Sequence, residues 1–138
     1  MDDRDRRRRI ASRAGIAAGL LGLVLLTWGA AATAPLDRDE SMYVSAGVLA
    51  RTASLYAEVP FLQMPGLAWI YAGLLPTPGD GPLLLVARAF TVACAAFVFV
   101  ALVAIAARRG LSPWIGLAVA ALLAVQPTFV AAAREATN

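Results

Sequence analysis

Hydrophobic positions along this chain gather into three long runs, divided by one mixed segment and one short basic turn. Gly15 to Ala34 carries no charge. At ~1.5 Å per helical residue that run matches the ~30 Å hydrocarbon core of a bilayer. The second run covers Leu83 to Ala107, uncharged from Phe90 onward and with Arg88 near its outer end. The third spans Leu111 to Ala133 and is closed by Arg134-Glu135. Only Arg108-Arg109-Gly110 separates the last two, which predicts a helical hairpin with a tight turn.

The mixed segment, Pro35 to Pro82, has a pattern of its own. Met42, Ala46, Leu49 and Ala53 recur at helical spacing, the mark of a short amphipathic helix lying on a membrane surface. Phe61 to Leu75 is apolar but too short to cross, and it contains Pro65 and Gly66, which favours an interfacial or re-entrant helix. The pattern therefore predicts an all-α integral membrane protein: three transmembrane helices, with two juxtamembrane helices in the first outer loop. Its segments are a basic terminus (1–14), spans at 15–34, 83–107 and 111–133, an outer loop (35–82), a turn (108–110) and the start of a second outer loop (134–138).

Composition agrees with this reading. The chain of 138 residues is 60% hydrophobic and 15% charged, with a mean hydropathy of +0.71, more apolar than a soluble domain or a disordered segment of this length. The net charge of +3 is a matter of topology once its placement is read. Arg4, Arg6, Arg7, Arg8, Arg9 and Arg13 precede the first span, and Arg108-Arg109 fill the hairpin turn. The long loop carries only Arg38 and Arg51 against Asp37, Asp39, Glu40, Glu58 and Asp80. The positive-inside rule then puts the N-terminus in the cytoplasm and the loop outside. No stacking aromatics are interleaved with the basic residues, so no nucleic-acid partner is expected.

Several features carry no chemistry. An arginine-rich start ending in Ala32-Thr33-Ala34 imitates a cleaved signal, but the apolar run is long for one and Pro35 would follow the cut. Cys94 reads as a small packing residue, and Arg88 as a snorkelling one. Gly15, Gly19 and Gly22 share a face suited to close helix contact, while Trp28, Trp69 and Trp114 read as interfacial anchors. Histidine is absent, which removes histidine-based catalysis and metal ligation. Every basic side chain is arginine, a pattern that points to GC-rich bacterial coding and hence to the plasma (inner) membrane, crossed several times.

Candidate chemistry lies in the acids just after the first span. Asp37 and Glu40 have capping-box spacing, with Glu40 reaching back to the helix start. Asp39, Tyr43 and Gly47 stand four residues apart on one helical face, a carboxylate, a phenol and a gap that together would wall a polar pocket. Capping needs one acid, and adjacent carboxylates repel unless a cation, a hydroxyl or water lies between them. Asp39 and Glu40 are thus the candidate catalytic pair.

These residues also carry a family resemblance. The stretch DESMYVSAGVLARTASLYAEVPFLQMPGLAWIYAGLL resembles the first outer loop of GT-C glycosyltransferases, and within them the protein mannosyltransferase and aminoarabinose transferase branch. Asp39-Glu40-x-x-Tyr43, the small-residue helix through Gly47 and Ala50, Tyr56, Pro65 and the Arg108-Arg109-Gly110 turn follow that branch in order. Gln63-Met64 stands where many members have a charged pair, and members are several times longer, with a second acid in the next outer loop. The resemblance implies the N-terminal portion of a truncated enzyme. That enzyme would move a sugar, with inversion, from a polyprenyl-phosphate donor to an extracytoplasmic lipid, glycan or protein acceptor. Asp39 would be the base or position the nucleophile, with Glu40 beside it, and Tyr43, Gln63 and Arg134 would contact substrate. No cofactor is demanded, and a divalent metal stays open. Two other readings remain: a small subunit that packs through the glycines of the first span, or a transporter fragment whose acids bind a cation.

Overall fold

The computed structural model describes residues 3–36, 38–58, 65–75, 82–126 and 129. Within them the chain is all-helical, with five helices and no strand: α1 (Asp3–Ala32), α2 (Arg38–Leu49), α3 (Gly66–Leu74), α4 (Leu83–Arg108) and α5 (Pro113–Ala124).

Two of these, α1 and α4, are long and apolar enough to cross a membrane. Only 11% and 22% of their most apolar windows are buried within the described chain. Leu21, Leu25, Leu26, Phe97, Val100 and Ile105 point outward instead, a surface that water disfavours and lipid accepts. The helix α1 continues through the arginine-rich start, with Asp3 and Asp5 in its first turn offsetting the helix dipole. Of the third apolar run, residues 111–126 and 129 are described, and twelve of them form α5.

A Schellman closure ends α4. Leu111 N–H donates to the Ala106 carbonyl (3.0 Å) and Gly110 N–H to that of Ala107 (3.1 Å), with Gly110 at φ 74°. A left-handed residue is required at that point, which is why glycine follows the two arginines. Pro113 then opens α5, where its missing N–H costs nothing.

Small residues set how closely the long helices approach. A Cβ on Gly116 would lie 2.6 Å from Val103 Cα, which puts α5 directly against the α4 backbone. Cβ atoms on Gly15 and Gly19 would meet Trp114 and Leu117 of α5, whereas Gly22 faces open space. The expected close-contact stripe on α1 is therefore occupied at two of its three positions, and by a helix of this same chain. Phe99 is fully buried at the centre, with Ala95, Ala120 and the flanking Leu20, Leu23 and Val24.

Trp114 Nε1–H donates to Ser12 Oγ at 3.1 Å. That bond brings the start of α5 beside the first part of α1, so α4 runs antiparallel to α1 and α5 parallel to it. Arg108 and Arg109 consequently share one end of the bundle with the N-terminal arginines. Both short helices, α2 and α3, sit at the other end, where Tyr43, Ala46, Ala68, Tyr71, Leu75 and Ala87 form a second core. At nine residues, α3 is too short to span a bilayer, as its proline-interrupted sequence predicts.

Candidate functional site

At that second end a buried polar cluster centres on Arg88. Its Nε–H donates to Glu40 Oε1 and its Nη2–H to Glu40 Oε2, both at 2.7 Å, in a bidentate pair. Nη1 donates to the carbonyls of Ala31 (2.8 Å) and Ala34 (2.9 Å), and Nη2 also to that of Pro35 (3.2 Å). A guanidinium has five N–H donors, and here all five are used. Arg88 is 2% exposed and Glu40 wholly buried.

The sequence explains why this arrangement holds together. The last carbonyls of a helix lack intrahelical partners, and the ragged end of α1 at Ala31 to Pro35 supplies them to Arg88. An arginine inside an apolar helix is costly, ~2.5–3.5 kcal/mol at a bilayer centre, unless it finds a counter-charge and acceptors. Glu40, in the first turn of α2, provides the counter-charge. One side chain of α4 thereby ties the end of α1 to the start of α2.

This differs from the expected role of Arg88. Arg88 does not snorkel to the surface but turns inward. Glu40 crosses to α4, and its expected capping partner Asp37 lies outside the described residues. In this arrangement the Glu40 carboxylate holds Arg88, and both its oxygens are engaged in doing so.

Around the pair stand Tyr71, Tyr43 and Thr91. Tyr71 is fully buried, packs edge-on to Phe90 (6.2 Å between ring centroids, 83° between planes) and hydrogen-bonds Thr91. Burial, helped by the nearby Glu40 charge, pushes its phenol up to about 12 against the opposing pull of Thr91, so it keeps its proton at neutral pH. Gly47 does admit a close approach, but the space beside it is filled: a Cβ there would lie 2.5 Å from Tyr71 Cβ. Gly47 seats α3 on α2 rather than opening a pocket wall. Arg51 completes the α2–α3 pairing, its Nε–H donating to the Ala72 carbonyl at 2.8 Å and its Nη2–H to that of Leu75, at the C-terminal end of α3.

Asp39 stands apart from all this. It is exposed in the first turn of α2 and makes no hydrogen bond or ion pair with another described residue. The expected stripe of Asp39, Tyr43 and Gly47 is thus divided, with the latter two buried and Asp39 facing out. Gln63 and Arg134 lie outside the described residues. No group of three metal-ligating side chains occurs among the described residues. With Glu40 engaged by Arg88, Asp39 is the uncommitted carboxylate among the described residues of this cluster.

Arg88 is the residue that sequence reasoning misplaced. The available signal was an arginine close to the start of an apolar run with acids waiting in the preceding loop; the cost of leaving it unpaired argues for a partner. No protein-family model matches the chain, and no curated protein or solved structure is significantly similar to it.

Proposed function

We propose that this chain is the N-terminal portion of a GT-C-type membrane glycosyltransferase. In this reading α1, α4 and the run from Leu111 to Ala133 are three spans of the plasma membrane. The arginine-rich end is cytoplasmic, and α2 and α3 lie on the outer surface. The observation that carries it is the contrast within the Asp39-Glu40 pair: one carboxylate locked in a buried ion pair, its neighbour exposed and uncommitted at the bundle's outer end. A reaction between a lipid-borne donor and a water-borne acceptor calls for a carboxylate free to accept a proton at that boundary.

The step balances without a cofactor. The acceptor hydroxyl or amine forms a bond to the anomeric carbon of the polyprenyl-phosphate sugar from the face opposite the phosphate. The anomeric carbon–oxygen bond to phosphate breaks, and its electron pair stays on the phosphate. The acceptor's proton passes to Asp39. Glu40 acts through Arg88 as a positioning group, and Tyr43, Gln63 and Arg134 remain the proposed substrate contacts.

The subunit reading loses ground because Gly15 and Gly19 are already covered by Trp114 and Leu117. A cation-binding transporter needs paired acids, and Glu40 is committed elsewhere. The deciding experiment replaces Asp39 with Asn in the complete protein and follows sugar transfer from a polyprenyl-phosphate donor in membranes. Transfer should vanish while membrane levels stay unchanged. Undiminished transfer removes Asp39 from the mechanism.

A further inference from the structure

At the arginine-rich end an apolar groove of about 340 Å³ runs between α1 and α4, walled by Ile16, Ala17 and Leu20 on one side and Val100 and Ala104 on the other. Arg13 stands at its mouth. Two further hollows, of about 280 and 330 Å³, adjoin it: Arg6 and Arg9 line the first, Arg8 and Arg9 the second, and Arg13 lines both. No described carboxylate lines any of the three, and Asp3 is paired instead with Arg7 at 3.0 Å.

We propose that this composite surface binds one anionic phospholipid, its phosphate held by Arg13 and Arg9 and an acyl chain lying in the groove between α1 and α4. The dimensions suit this occupant. Arg13 precedes the charge-free run, at headgroup level, and Leu20 lies ~10 Å deeper along the helix at ~1.5 Å per residue. Clustered arginines beside a bilayer attract anionic lipid, and a guanidinium matches phosphate oxygens bidentately. A polynucleotide or an acidic peptide would use the arginines but leave the aliphatic walls uncovered. A zwitterionic lipid would fill the groove and leave the arginine charge unbalanced.

This inference rests on the membrane reading of α1 and α4, and the two are tested separately. Flotation of the full chain with pure phosphatidylcholine vesicles tests insertion, and failure to float overturns both. Native mass spectrometry of the detergent-solubilised chain then compares phosphatidylglycerol with phosphatidylcholine. Phosphatidylglycerol should be retained in preference, and R9Q/R13Q should weaken retention about fivefold for each arginine removed. The variant A17L/A104L fills the groove from two exposed positions with no change of charge. It should weaken retention about tenfold, the worth of roughly two lost methylene contacts. Equal retention of the two lipids would sink the site, as would undiminished phosphatidylglycerol binding by A17L/A104L. So would displacement of the lipid by an oligonucleotide at equal concentration.

Discussion

Asp39 and Glu40 are neighbours with opposite fates because successive helical residues point ~100° apart. Glu40 and Tyr43, three residues on, turn toward α4 and α3, and Asp39 is left facing out. The energetic weight falls on the buried pair. Breaking such a pair by removing one partner costs about 3–5 kcal/mol, whereas replacing both by apolar groups of similar shape is often neutral. E40L and R88L should therefore each destabilise the solubilised chain strongly, and the double variant should recover only the part due to the ion pair, because the Ala31, Ala34 and Pro35 carbonyls still lose their donor. A double-mutant cycle on thermal unfolding measures this, and purely additive losses would contradict the ion pair. Tyr71 gives a second test. Its folded phenol keeps its proton to about pH 12, while an unfolded tyrosine gives it up near pH 10. The native state then binds more protons above pH 10, so this residue's contribution falls as pH rises from 10 towards 12. The tyrosinate absorbance of the folded chain should show a late-rising component that Y71F abolishes.

Among whole helices, packing turns on which glycines have a neighbour. Gly47 and Gly116 sit against Tyr71 and the α4 backbone, and a methyl group at either must displace heavy atoms now 2.5–2.6 Å away. G47A and G116A should each cost about 1–3 kcal/mol. G22A meets nothing within 4 Å and gains helix propensity, so it should be neutral or slightly stabilising. Melting temperatures of the three variants in one detergent check the ranking. Much of this scale was legible in advance. Charge-free runs marked α1 and α4, Pro65-Gly66 marked a short α3, and the glycine spacing marked a contact face. What one-dimensional periodicity does not carry is partnership. Glu40 and Arg88 are separated by a long loop, so no local pattern joins them. Gly47 reads equally as a pocket wall or a docking point until Tyr71 is placed. Asp39 drew notice by its position after a charge-free run, but its separation from Glu40 required knowing which way α2 faces.

For the molecule as a whole, the two ends differ in kind. One gathers arginines around an apolar groove; the other holds Arg88 inside a cage of carbonyls and a carboxylate, beneath two short helices. Hydrogen bonds link α1 to α5 at the first end and α1 to α4 at the second, so the ends cannot exchange without dismantling the bundle. Thr52, just past α2, and Ser112, at the start of α5, are both exposed and lie at opposite ends. With Cys94 replaced by Ala, cysteine introduced at Thr52 should react with an impermeant maleimide from outside intact cells. Cysteine introduced at Ser112 should react only after the membrane is opened. Labelling of both from one side would mean that α4 does not cross. Reaction of position 112 alone from outside would invert the chain, leave Asp39 in the cytoplasm, and deprive an extracytoplasmic acceptor of its base.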